Sequence, residues 1–192
     1  MKDRKTILKN RIEGFLKKEQ LLKNEEYKKL EKSYLTKARK NFTVANLMNN
    51  ISDQKELRKM LNLGADFEMY DWVIIVSYYA MYTSALSALA KLGFKSKSHG
   101  ATITVLELNY INDQDKNGKN LETNDIHKLT KAYTLSEQLI IKLMQTKTNR
   151  ETAQYDATPN ITKEMAKTSL SDADEFITKI EEILSSSFIN KD

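Results

Sequence analysis

The sequence predicts an all-α protein, an up-and-down bundle of four to five helices preceded by an N-terminal helical extension. Three observations carry that prediction. The 192 residues include five Gly and one Pro, too few breakers for the many turns of a sheet protein. Apolar residues recur at three-to-four spacing along most of the chain. One stretch, Trp72 to Ala90, runs 19 residues without a charge, as suits the central helix of a bundle. This length holds one full core. Residues 1–24 are expected as a basic helical extension and residues 25–192 as the bundle.

Helix is expected from about Asp3 to Asn49, with Ile7, Leu8, Ile12, Phe15 and Leu16 inward, then Tyr27, Leu30, Tyr34, Leu35, Ala38 and Phe42, and a break near Asn24. SDQKE at Ser52 reads as the start of a short helix ending near Leu61, with Gly64 as its stop. The central helix follows from about Asp66 to Leu92, ended by Gly93. Ser98 then caps a helix beginning at His99, although the β-branched ATITVLEL also fits a strand. Asn112 to Asn120 is a polar loop with an Asn-Gly turn signal. A helix is expected from about Thr123 to Gln145, with Ile126, Leu129, Ala132, Tyr133, Leu139, Ile140 and Leu143 inward. After the break at Pro159, a last helix from about Thr162 to Ser187 buries Met165, Ala173, Phe176, Ile177, Ile180, Ile183 and Leu184.

The absence of Cys excludes disulfides, thiolate catalysis and cysteine metal sites, and no signal peptide opens the chain, so a cytoplasmic location is expected. The uncharged stretch is nearly long enough to span a bilayer. Its serines, threonine and three tyrosines, and the lack of a second apolar span, favour a buried bundle helix or a dimer face instead. No membrane partner is expected. Residues 1–62 carry 17 Lys and Arg against 8 acids, whereas residues 63–192 carry 14 against 18. The basic third fits a nucleic-acid arm, a docking face for an acidic partner, or a solvated helix surface.

Most catalytic machinery is missing: there is no Gly-rich phosphate loop, no Gly-x-Ser-x-Gly, no His-Glu-x-x-His and no Glu-x-x-His. His99 and His127 are the only histidines, so neither a metal site nor a cofactor is implied. One motif stands out. In NRETAQYD, Asn149 to Asp156, Arg150 is the only arginine after Arg58, every other base in that span being lysine. A guanidinium grips phosphate or carboxylate in a planar fork that lysine lacks. Pairing of Arg150 with Glu151 or Asp156 is the alternative.

Three pieces in order, SYYAMYTSALSALAKLGFKSKSHG from Ser77, NRETAQYD from Asn149, and ITKEMAKTSLSDADEFITKIEEIL from Ile161, resemble the HEPN superfamily, in particular its archaeal and bacterial branch. In that branch a YYAMF-like helix leads through a Gly turn into a Lys-Ser-His step, and an Arg-x-x-Ala-x-Tyr motif precedes a last helix rich in Ala, Glu and Phe. The resemblance covers about residues 27–184. It implies a helical bundle that dimerises, with the motif arginines of two protomers in a shared cleft. It also implies a setting in prokaryotic defence or toxin–antitoxin systems, often beside a minimal nucleotidyltransferase that serves as antitoxin. Active members are metal-free ribonucleases carrying Arg, four to six residues, then His.

Here the pattern departs, because Tyr155 stands where Arg-x4-His is expected, and Glu151 would oppose an incoming phosphate. A tyrosine with a pKa of about 10 is a poor proton acceptor at neutral pH. Three readings follow. In the first, the protein is an RNA- or nucleotide-binding module with a degenerate nuclease motif, where Arg150 grips phosphate, Tyr155 stacks on a base, and Asn149, Ser98 and His99 complete the site. In the second, it is an active endoribonuclease using Arg150 with Tyr155, or with His99 reaching the cleft from another helix. In the third, it is a helical adaptor docking a partner protein, and Tyr155 only fixes the turn before Pro159.

Overall fold

The computed structural model describes residues 3–111, 121–134, 137 and 161–186. The chain opens with α1 (Arg4–Lys17), whose first turn is capped by Asp3: its Oδ1 accepts from the backbone N–H of Lys5 and Thr6. A short strand β1 (Leu21–Lys23) and a 3-10 helix (Glu25–Leu30) lead into the long α2 (Glu31–Asp53). The short α3 (Lys55–Met60) precedes the central α4 (Tyr70–Lys91). Strand β2 (Phe94–Ser96), α5 (His99–Asn109), the helical residues 123–134 forming α6, and α7 (Lys163–Ser186) complete the order.

Contacts between the ends of the helices give their directions. Ser87 of α4 donates to the Glu31 carbonyl at the start of α2, and Tyr70 at the start of α4 donates to Asp53 at its end, so these helices are antiparallel. Asp53 meets Lys163 while Arg39 meets Glu181, so α7 also runs against α2. Lys179 pairs with Asp125 and Lys128 with Glu175, so α6 opposes α7. Helices α2, α4, α6 and α7 therefore alternate up and down, the expected all-α bundle.

The core follows from the sequence of α4. Met81, Ala85, Ala88 and Leu89 are fully buried in one cluster with Ala173, Phe176 and Ile180 of α7, and Ile74 is buried in a second cluster with Ala166 of α7. Each large apolar side chain so placed contributes about 1.5–3 kcal/mol of transfer free energy. Helix α4 is long and apolar enough to cross a membrane by length and composition alone, yet 78% of its apolar window is buried inside the protein. The α2–α4 contact is built differently. The buried residues of α2 are small or polar, Ala38, Ala45, Asn49 and Ser52, and α4 buries the small Ser77, Ala80, Ser84 and Ser87, the last bonded to α2. Small side chains let the two backbones approach closely. Of the large residues expected inward on α2, Leu35 and Phe42 are only half-buried.

Four local expectations are corrected. The region around the break near Asn24 is not simply a helix interruption. Glu19 takes φ +54, the chain reverses, and β1 pairs antiparallel with β2 in the register Leu21↔Ser96, Leu22↔Lys95, Lys23↔Phe94, burying Leu21 completely. Ser52 does not start a helix: its hydroxyl donates to the Met48 carbonyl and accepts from the Met69 N–H, tying the α3–α4 loop to α2. The left-handed residue after α3 is Asn62, at φ +56, rather than Gly64. The central helix begins at Tyr70 instead of Asp66. Two expectations hold: Ser98 caps α5, accepting from the Ala101 N–H at 3.2 Å, and ATITVLEL is helical. The expected loop Asn112–Asn120, Leu139, Ile140, Leu143 and Pro159 lie outside the described residues.

Candidate functional site

Of the five residues singled out from the sequence, Ser98 and His99 are described, and Asn149, Arg150 and Tyr155 lie outside the described residues. Ser98 and His99 sit where the β1–β2 ribbon turns into α5. The Ser96 hydroxyl donates to the Ser98 carbonyl at 2.8 Å and also accepts the Ser98 N–H at 3.3 Å, which holds the approach to the helix. The Ser98 hydroxyl is engaged in the cap, so its hydrogen bonding is committed to the fold.

His99 points into a group of tyrosines. Tyr133 of α6 stacks on it with centroids 4.0 Å apart and planes 14° apart. Tyr82 lies at 6.0 Å, roughly parallel, and Tyr78 at 6.2 Å, tilted. Both imidazole nitrogens are shut off from solvent and have no hydrogen-bond partner among the described residues. Burial without a counter-charge pushes the imidazole pKa down from its ordinary 6.5 to about 4. At neutral pH the ring is therefore uncharged. A general base works best with a pKa near the operating pH and must reach the proton it takes. In this packing, His99 has neither property. His127, the other histidine, is exposed on α6.

The tyrosines were not singled out from the sequence. Tyr78 and Tyr82 are four residues apart on α4, a spacing that places them on one helix face. Nothing local in the sequence says that α5 and α6 bring His99 and Tyr133 to the same face. Burial raises the Tyr78 phenol well above its ordinary value, helped by its neighbours Tyr82, Tyr79 and Tyr133, so it stays protonated.

Arginine chemistry is visible on α2. Arg39 grips Glu181 through Nε at 2.8 Å and Nη2 at 2.5 Å, and adds Asp174 at 2.9 Å and Thr178 at 3.1 Å. It is thus a fork joining α2 to α7. Beside it runs an open groove of about 840 Å³ lined by α2 residues, among them Lys32, Leu35, Lys40 and Val44, and by Glu181 of α7. Among the described residues no three His, Cys, Asp or Glu side chains gather as metal ligands.

Two comparisons bear on this arrangement. The family model described as the HEPN domain matches residues 51–183, from the end of α2 to the last turn of α7. A search of curated proteins returns no match to the chain.

Proposed function

The chain belongs to the HEPN domain family, and from that premise we propose that it is an RNA- or nucleotide-binding module of a prokaryotic defence or toxin–antitoxin system, carrying a degenerate nuclease motif. The observation that carries this reading over active cleavage is the state of His99. The histidine of the Lys-Ser-His step is packed among tyrosines with sealed nitrogens and a pKa of about 4. Together with Tyr155 in place of the motif histidine, this leaves neither of the two candidate bases, His99 and Tyr155, suited to take the 2′-hydroxyl proton at neutral pH. Binding needs no such base. Arg150 contacts phosphate, Tyr155 offers a stacking face, and the protein works as a homodimer beside a minimal nucleotidyltransferase-type antitoxin or another protein partner.

The test is a cleavage and binding assay on mixed cellular RNA in EDTA, comparing wild type with Arg150→Ala and His99→Ala. Binding without cleavage, weakened by Arg150→Ala, is expected. Cleavage by wild type that Arg150→Ala abolishes would replace this reading with a metal-independent endoribonuclease. If wild type neither binds nor cuts, the protein is an adaptor for another protein.

A further inference from the structure

Helix α2 packs one face against α4 and α7 and leaves another open. On the open face Lys32, Thr36, Lys40 and Val44 follow one another at four-residue spacing, which sets them in one row, and with Thr43 and half-buried Leu35 they line the groove beside Arg39. From Lys32 to Val44 the row is about 18 Å long, just over three turns of helix. Val44 is 42% exposed, and Leu47 in the next turn is 56% exposed.

Charge on this helix is lopsided. Residues 32–52 include Lys32, Lys37, Arg39 and Lys40 and no Asp or Glu. The neighbouring acids of α7, Glu181 and Asp174, are already gripped by Arg39. Lysines packed against α7 are held by carboxylates, Lys128 by Asp172 and Glu175 and Lys179 by Asp125 and Glu122. Lys32, Lys37 and Lys40 are exposed and form no ion pair among the described residues. The groove therefore sets uncompensated positive charge beside exposed apolar side chains.

We infer that this groove docks an acidic amphipathic helix of a partner protein, with the apolar face of that helix on Leu35, Val44 and Leu47 and its carboxylates on Lys32 and Lys40. The α2 backbone is committed to its own hydrogen-bond ladder and offers no strand edge, so a segment lying along it has to satisfy its own backbone groups, as a helix does. Three other occupants fit less well. A second copy of this face would set lysines against lysines across a two-fold axis, with no α2 acid to meet them. A phosphate chain would leave Val44 and Leu47 without contacts and would meet the exposed Asp174. A purely apolar helix would leave Lys32 and Lys40 unanswered. An acidic amphipathic helix uses both halves of the groove. The inference rests on the protein partner in the proposed function and gives it a surface, and it stands whether or not the chain binds RNA.

The test uses the full chain and a fluorescein-labelled peptide of about fifteen residues, long enough to follow the row, built from Leu, Ala and Glu with the leucines on one helical face and held helical by a side-chain staple. Anisotropy is read for this probe, for a peptide of the same composition with scattered leucines, and for one with Lys in place of Glu. The acidic amphipathic probe is expected to bind wild type, and both control peptides to bind about tenfold or more weakly. K40E with V44E should weaken the probe about tenfold or more, whereas K9E with N10E, an equal change in net charge on the exposed side of α1, should leave it unchanged. K32Q with K40Q provides the readout if the first pair fails to fold by circular dichroism. Equal binding of the scattered peptide, or equal binding by the groove variant, overturns the groove. Loss of oligouridine binding in the groove variant without loss of the probe reassigns the face to RNA, and conversion of a dimer to a monomer in light scattering reassigns it to a second copy. A protein that co-purifies equally with wild type and with the groove variant from the native cells overturns the groove and leaves the partner standing. Absence of any such protein, with no binding of the probe, removes both.

Discussion

His99 and Tyr133 lie face to face, 4.0 Å between centroids, and the imidazole so covered has no partner for either nitrogen among the described residues. The folded ring titrates at about 4, below its ordinary 6.5. Between those values the unfolded chain binds a proton that the folded chain refuses, so stability is full above about pH 6.5 and falls as the pH drops toward 4. After discounting for the partial exposure of the ring, the loss is about 1–2 kcal/mol. Urea denaturation at pH 7.5, 6 and 5 measures it. His99→Phe, which keeps a stacked ring and removes the orphaned nitrogens, should be at least as stable at pH 7.5 and should flatten the dependence. Carboxylates titrating at the acid end act in both proteins and cancel in the difference.

Arg39 is the second prediction. Its fork satisfies two oxygens of Glu181 and one of Asp174, which no lysine can reproduce from the same Cα. Arg39→Lys is expected to cost about 1 kcal/mol, a fall in thermal midpoint of about 2–4 °C. Arg39→Ala should cost more, since Glu181 and Asp174 then lose a shared cation. A midpoint unchanged in both variants would show that the α2–α7 fork is too solvated to matter.

At Gly93 the backbone has φ +77, and a Cβ would come within 3.3 Å of the Asn24 carbonyl oxygen, the turn that carries β2 against β1. Gly93→Ala therefore meets both a left-handed backbone penalty and a close contact, together about 1–3 kcal/mol. The effect should be local at first. Hydrogen exchange at the amides of Asn24 and Lys97, which close the two ends of the ribbon, should accelerate before that of the α4 core. Uniform acceleration would mean that ribbon and bundle unfold as one unit.

These sites also show what the sequence made legible. Helices α4 and α7 were readable because burial dictates their composition: α4 is uncharged from Trp72 to Ala90, and α7 repeats Phe176, Ile180 and Leu184 at helical spacing. The Ser98 cap was readable because its chemistry is local. The ribbon was not. Each strand is three residues long, and its partner lies about 70 residues away, so nothing in a window around Leu21 distinguishes it from a helix break. On α2 the expected face holds, with Ala38 fully buried and Leu35 and Phe42 packed at the edge of the core, but buried Ala45 was missed because a small side chain gives a weak periodic signal. The environment of His99 is purely tertiary, so the residue could be named from the Lys-Ser-His step but its burial could not.

The last prediction concerns the homodimer. Trp72 and Tyr79 are 45% and 44% exposed on α4, seven residues apart and therefore on one face, with half-buried Val76 between them. A tryptophan and a tyrosine left on the surface of an otherwise buried helix are suited to anchor an interface. If a second copy covers this face, Trp72→Glu combined with Tyr79→Glu should convert dimer to monomer in light scattering at tens of micromolar. The thermal midpoint extrapolated to low concentration should move by less than about 2 °C, because neither side chain belongs to the core. A variant that remains dimeric would place the contact elsewhere on the bundle. A wild-type monomer would remove the dimer from the proposed function and leave Arg150 to act from a single chain.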